Sequence, residues 1–153
     1  MIATSRKVSR KALAALLTAA LVGDDKLAQA VYAYPPASFT ESPLLFIRSA
    51  GTATKRRGIG QTKAYNRFTL EIVTYIAAAN SDPGWTPEAS ADVFDDIEAA
   101  VREVLIVNPT NPAWADLEIP DQMTEVYHLS AEQAGGIPFD VEILKVEVKV
   151  NDN

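Results

Sequence analysis

Few side chains in this sequence have the type and spacing that chemistry requires. His128 is the single histidine and the chain has no cysteine, so the usual zinc constellation of thiolates and imidazoles cannot be assembled. It lies between Tyr127 and Leu129 in a strand-like stretch, where a packed or surface imidazole is the expected role. A serine nucleophile needs a strained elbow to present its hydroxyl, and no G-x-S-x-G occurs. Asp92, Asp95, Asp96 and Glu98 form an acidic run. They lack a D-x-D-x-D-G calcium loop, and in the first turns of a helix carboxylates complement the positive end of the dipole. They read as a solvated helix face. Gly58-Ile59-Gly60 follows the cations Lys55, Arg56 and Arg57, but no G-K-[ST] comes after and no helix begins there, so this is not a phosphate-cradling loop. No catalytic residue, metal site or cofactor site is expected.

Charge is more informative than motifs. Up to Arg67 the chain carries eleven Lys/Arg against three Asp/Glu, and from Phe68 onward three against seventeen. If this asymmetry survives folding, copies of the molecule can meet basic face to acidic face, which steers head-to-tail, ring-forming contacts. The plainer alternative is that a net charge of −6 keeps the protein soluble. The cations Lys55, Arg56, Arg57 and Lys63 fall between Gly51 and Asn66, a stretch with Gly58 and Gly60 and no acidic residue. It reads as the extended, mobile tip of a hairpin. A pI near 4.8 and isolated aromatics such as Tyr65 and Phe68 argue against a dedicated nucleic-acid surface, leaving non-specific contact with a phosphate backbone at most.

The elements that would carry these residues follow from composition and period. A chain of 153 residues, 48% hydrophobic and 22% charged, with nine prolines and seven glycines, is the size of one domain and apolar enough to fold. Arg6, Lys7, Arg10 and Lys11 precede the apolar run Ala12 to Val22, and Ala28-Gln29-Ala30 imitates a cleavage site. Against export, charges at Asp24, Asp25 and Lys26 interrupt the pattern, and cleavage would fall inside the strand-like Val31-Tyr32-Ala33-Tyr34. The preferred reading is an amphipathic helix from about Ser5 to Val22 stopped by Gly23, in a protein with no membrane-spanning helix.

Pro35-Pro36 ends the first extended stretch, and Pro43 opens Leu44-Leu45-Phe46-Ile47. Phe68, Leu70 and Ile72 alternate with polar neighbours as its hairpin partner. Thr86-Pro87-Glu88 supplies a cap, a first-turn proline and an acid for a helix whose stripe is Val93, Phe94, Ile97, Val101, Val104 and Leu105. Asn108-Pro109 ends it, and the chain returns through Trp114 toward a strand from Met123 to Leu129. Ala134-Gly135-Gly136 then leads into a last strand, Phe139 to Val150, whose apolar phase slips at Ile143-Leu144. The slip marks either a β-bulge or two halves covering different neighbours, one of them in another subunit. The predicted fold class is α+β: a small, mostly antiparallel sheet flanked by an N-terminal helix and a central helix, with a long extended hairpin.

In this order, Leu21-Val22-Gly23, Val31-Tyr32-Ala33-Tyr34-Pro35, Ser42-Pro43-Leu44-Leu45-Phe46, the basic hairpin, Arg67 to Tyr75, the capped helix from Pro87 and the closing Gly135-Gly136 strand resemble the tail terminator, or head-tail joining, proteins of long-tailed bacteriophages. The resemblance covers most of the chain and rests on order, length and apolar pattern. It implies a non-enzymatic, cofactor-free structural protein that forms a hexameric ring on the tail tube protein and docks to the head-tail connector or head-completion protein. Its place would be the virion's tail-head junction, and the host cytoplasm during assembly. Within that frame Lys55, Arg56, Arg57, Lys63 and Arg67 are the candidate contacts to a neighbouring subunit, the tube or passing DNA. The alternatives are another neck, tail tube or baseplate subunit, or a monomeric exported binding module.

Overall fold

The computed structural model describes residues 5–24, 26–37, 41–56, 64–77, 87–119, 124–129 and 139–151. The first helix, α1, spans Arg6–Leu21 and starts where the Ser5 hydroxyl accepts the Val8 N–H, satisfying one of the free donors of a helix start. Leu13, Leu17 and Leu21 recur every fourth residue and are fully buried, so they form the stripe that holds α1 to the sheet. Beyond Leu21 the backbone turns extended at Val22 and left-handed at Gly23, with φ +142°, which a side chain would resist. The Lys26 ammonium donates to the Ala19 carbonyl at 2.7 Å, neutralising the negative end of the helix.

The strands are β1 (Ala30–Tyr32), β2 (Leu44–Arg56), β3 (Ala64–Ala77), β4 (Asp116–Glu118), β5 (Thr124–Leu129) and β6 (Phe139–Asn151), and the second helix, α2, spans Pro87–Val107. They form one sheet in the order β1-β2-β3-β6, with β4 and β5 sharing the outer edge of β6. Only β1 and β2 run parallel. The fold is α+β with a small, mostly antiparallel sheet, as the sequence predicts. Both helices lie on one face, over a core built from Leu13, Leu17, Leu45, Ile47, Leu70, Ile72, Ile97, Val101, Leu144 and Val146. Phe46, Val73, Val141 and Ile143 form a smaller cluster on the other face, where the Phe46 and Tyr75 rings meet edge to face at 5.4 Å.

Three expectations change. The stretch from Gly51 to Asn66 is not all hairpin tip: Gly51 to Arg56 and Ala64 to Asn66 belong to the β2–β3 ladder, with Lys55 opposite Tyr65 and Arg56 opposite Ala64. Gly51 adjoins a register shift after Ser49, so it serves a β-bulge. The slip in the last strand is no bulge, because β6 pairs with β3 without interruption from Asn151 opposite Tyr65 to Phe139 opposite Ala77. Its even residues, Leu144, Val146, Val148 and Val150, join the helix-side core, while Val141 and Ile143 join the opposite cluster. Both neighbours are in the same chain. The short strand β4 was not anticipated. Trp114 anchors it: its indole donates to the Asn108 carbonyl at 3.2 Å, and the buried Ser9 hydroxyl donates to the Ala113 carbonyl at 2.9 Å, riveting the α2–β4 connection to α1. The cap at Thr86 and the turn at Ala134-Gly135-Gly136 lie outside the described residues.

This packing predicts a sharp contrast between two truncations. Leu17→Ala should lower the free energy of unfolding by about 2–5 kcal/mol, whereas Ile106→Ala, at a position 65% exposed, should change it by under about 0.5 kcal/mol. Urea unfolding followed by circular dichroism measures both, and similar midpoints would contradict the assigned core.

A candidate interaction surface at the two ends of the sheet

The five candidate contact residues do not all lie together. Lys55 and Arg56 are in the far arm of β2, and Arg67 is in β3, opposite Lys149 of β6. Arg57 and Lys63 lie outside the described residues. The guanidinium of Arg67 is engaged within the sheet, 3.4 Å from a Glu147 carboxylate oxygen and 3.8 Å from one of Glu118, so it neutralises two acids that β4 and β6 bring to the hairpin end. Arg48 is likewise paired, at 2.9 Å from Glu71.

Sequence reasoning missed the contribution of α1 to this end of the molecule. Arg6 donates to the Thr52 hydroxyl and Arg10 to the Ser49 hydroxyl, each at 3.2 Å. At the other end of the helix, the Ala28 N–H donates to the Leu21 carbonyl just before β1 pairs with Leu44 at the start of β2. Thus α1 runs antiparallel to β2, and its first turns sit beside the hairpin arm that carries Lys55 and Arg56. Arg6, Lys7, Arg10 and Lys11 have no ion-pair partner among the described residues, and the Arg10 Nε is buried without a hydrogen bond. Arg6 and Lys7, in the first turn at the positive end of the helix, oppose its dipole. The first turn has no acid to offset them.

Beyond Asp116, Glu118 and Glu147 at the hairpin end, a second group of acids lies toward the opposite end. Asp95 and Glu98 in the first half of α2 stand close enough to Glu142, near the Phe139 end of β6, to perturb its carboxyl. After α2, the Ala115 N–H reaches the Lys149 carbonyl near the other end of β6 at 2.8 Å. So α2 runs along β6 from the acidic end toward the hairpin end, antiparallel to α1. Asp92, Asp95 and Asp96 are exposed, as the sequence suggests, and Glu98 pairs with Arg102.

Glu142 is a second residue that sequence reasoning missed. It is only 8% exposed, and its place was readable: counting back by two from Leu144, Val146 and Val148 puts it on the helix-side face. Burial first, then the charges of Glu98 and Asp95, raise its carboxyl to about 7 against the opposing pull of Arg102. Glu142 therefore titrates near neutrality. Among the described residues no group of three or more His, Asp or Glu side chains could hold a metal ion, and no helix is long and apolar enough to cross a membrane. His128 sits in β5 opposite Asp140. No known family's sequence model matches the chain, and no curated protein matches it.

The sign of the Glu142 effect follows from proton counts. Between the ordinary glutamate range and about pH 7 the folded chain keeps a proton that the unfolded chain has released, so this residue's contribution to stability falls as pH rises through that window. Glu142→Gln, which keeps the shape and removes the titration, should stabilise the protein by about 1–2 kcal/mol at pH 8, allowing for solvent screening. At pH 5 it should be nearly neutral. Urea unfolding at the two pH values decides it, and a difference independent of pH would rule out the assigned titration.

Proposed function

We propose that this chain is a structural virion protein, a tail terminator whose ring, hexameric in the family it resembles, caps the phage tail tube and joins it to the head connector. The observation that carries the reading is the end-to-end charge polarity. One end of the domain presents the hairpin arm with Lys55 and Arg56 and the cationic start of α1; the other presents the acidic first half of α2. A part held along an axis between two different partners needs two dissimilar ends, and complementary potentials orient such docking more than they strengthen it. The element order that carries the resemblance agrees with the fold, from α1 through the long β2–β3 hairpin to the closing strand β6. On this reading the hairpin reaches a neighbouring subunit, the tube protein or passing DNA, and the protein acts at the tail-head junction after assembly in the host cytoplasm.

The same polarity favours a second reading, a tail tube or baseplate subunit, because identical rings with opposite ends can stack without limit. Negative-stain imaging of the protein alone and mixed with purified tail tubes separates the two. A terminator gives rings that cap tubes without polymerising; tubes grown from this protein alone would replace the terminator with the tube subunit. Arg56→Glu combined with Arg57→Glu should weaken capping while leaving the monomer folded, with a thermal unfolding midpoint within about 2 °C of wild type. Capping that this double substitution leaves unchanged would remove the hairpin from the contact.

A further inference from the structure

The helices carry opposite charges that the fold does not bring together. On α1, Lys7 and Lys11 are exposed one turn apart. On α2, Asp92 and Asp96 are exposed with the same spacing, and no Lys or Arg lies between Glu88 and Glu98. Residues four apart on a helix project in one direction with Cβ atoms about 6 Å apart, so the two pairs match in spacing and oppose in sign. Within one chain they are not paired. Because α1 and α2 run antiparallel, with Arg10 beside Ser49 and Asp95 near Glu142, Lys7 and Lys11 are displaced toward the hairpin relative to Asp92 and Asp96, and no ion pair joins the two helices among the described residues.

We propose that Lys7 and Lys11 of one copy dock against Asp92 and Asp96 of a second copy of this chain. The chain's own complement argues for this occupant. Nucleic acid would meet the same cations only against the field of a protein with net charge −6. Docking also relieves a local conflict, because anions arriving at the start of α1 complement the helix dipole that its own cations oppose. Each copy offers one patch of each sign, so the contact is heterologous, the type that closes a ring when the rotation between copies allows it. The inference deepens the ring reading and rests on it for that closure.

A charge-swap experiment tests the contact without any tail tube. Neither pair has an ion-pair partner among the described residues, so Lys7→Glu with Lys11→Glu, and separately Asp92→Lys with Asp96→Lys, should leave unfolding midpoints nearly unchanged. In sedimentation velocity at about 0.05 M salt, where screening is weak, wild type should self-associate, and each double variant should do so at least about tenfold more weakly. An equimolar mixture of the two variants should recover association, because each then supplies what the other lacks. A wild type that stays monomeric at every concentration overturns the contact, as does a mixture that fails to recover. So does a Lys7→Glu/Lys11→Glu variant that associates normally but loses binding to duplex DNA, which would assign the cations to phosphates. Tube capping by wild type, measured separately, reports on the terminator reading whatever the swap shows.

Discussion

The unbroken ladder between β3 and β6 is the constraint on which the rest of the molecule depends. Every residue from Phe139 to Asn151 has a partner in β3, and β6 also carries β4 and β5 on its other edge. A slip of one residue would exchange the faces of the whole strand, moving Leu144, Val146 and Val148 away from the helices and Glu142 out of the core. That penalty fixes the register without any single dominant contact. Once it is fixed, β3 extends toward the hairpin end, and the β2–β3 pairing continues to Arg56 opposite Ala64, beyond the last partner that β6 supplies at Tyr65.

The helices inherit their directions from this frame. Leu13, Leu17 and Leu21 bury fully only when α1 lies along the sheet, and the hydroxyls of Ser49 and Thr52 then receive Arg10 and Arg6. The connection after α2 is pinned by Trp114, Ser9 and the carbonyl of Lys149, which sets α2 antiparallel to α1. Opposed helix dipoles are mildly favourable for such neighbours, but packing of the apolar stripes decides the arrangement. Glu142 is where packing prevails over electrostatics. Its side chain occupies the helix-side face because the register puts it there, and the raised carboxyl is the consequence.

Much of this was legible in the sequence. The end of α1 followed from Gly23, because a residue free to adopt positive φ is a local requirement with a local signature. The strands around Phe68 and Phe139 followed from the parity of their apolar residues, and the one at Leu44 from a short apolar run opened by Pro43. What failed was whatever depends on a partner strand. Gly51 and the polar residues after it suggested a loop, yet backbone pairing with β3 holds them as strand, and composition carries little information about pairing. The apolar slip in β6 allowed two explanations until a second face of the sheet was seen to hold Val141 and Ile143. Strand β4 has three residues and no alternation to read; Trp114 and neighbouring backbone bonds create it. At the candidate surface, the hairpin cations were evident as a cluster, but the pairing of Arg67 and the approach of α1 are tertiary facts.

The charge polarity is a tertiary fact of the same kind, and its scale explains why it persists. Arg10 and Arg6 reach Ser49 and Thr52, whereas Glu142, near Asp95 and Glu98, pairs with Thr74, itself opposite Leu45; at about 3.3 Å per strand residue the two groups lie roughly 13–23 Å apart along the sheet. At physiological salt, interactions between exposed charges fade beyond about 8 Å. The two ends therefore cannot neutralise one another within a molecule. Each retains its own cost: cations against a helix dipole at one end, carboxylates crowding Glu142 at the other. These costs are small beside the hydrophobic core, so the fold tolerates them, but they fall when a surface of opposite sign comes within reach. A domain with two such ends gains on association at both, and the gain is directional because the ends differ in sign. On the proposed reading, that directionality is what would orient such a part between its neighbours.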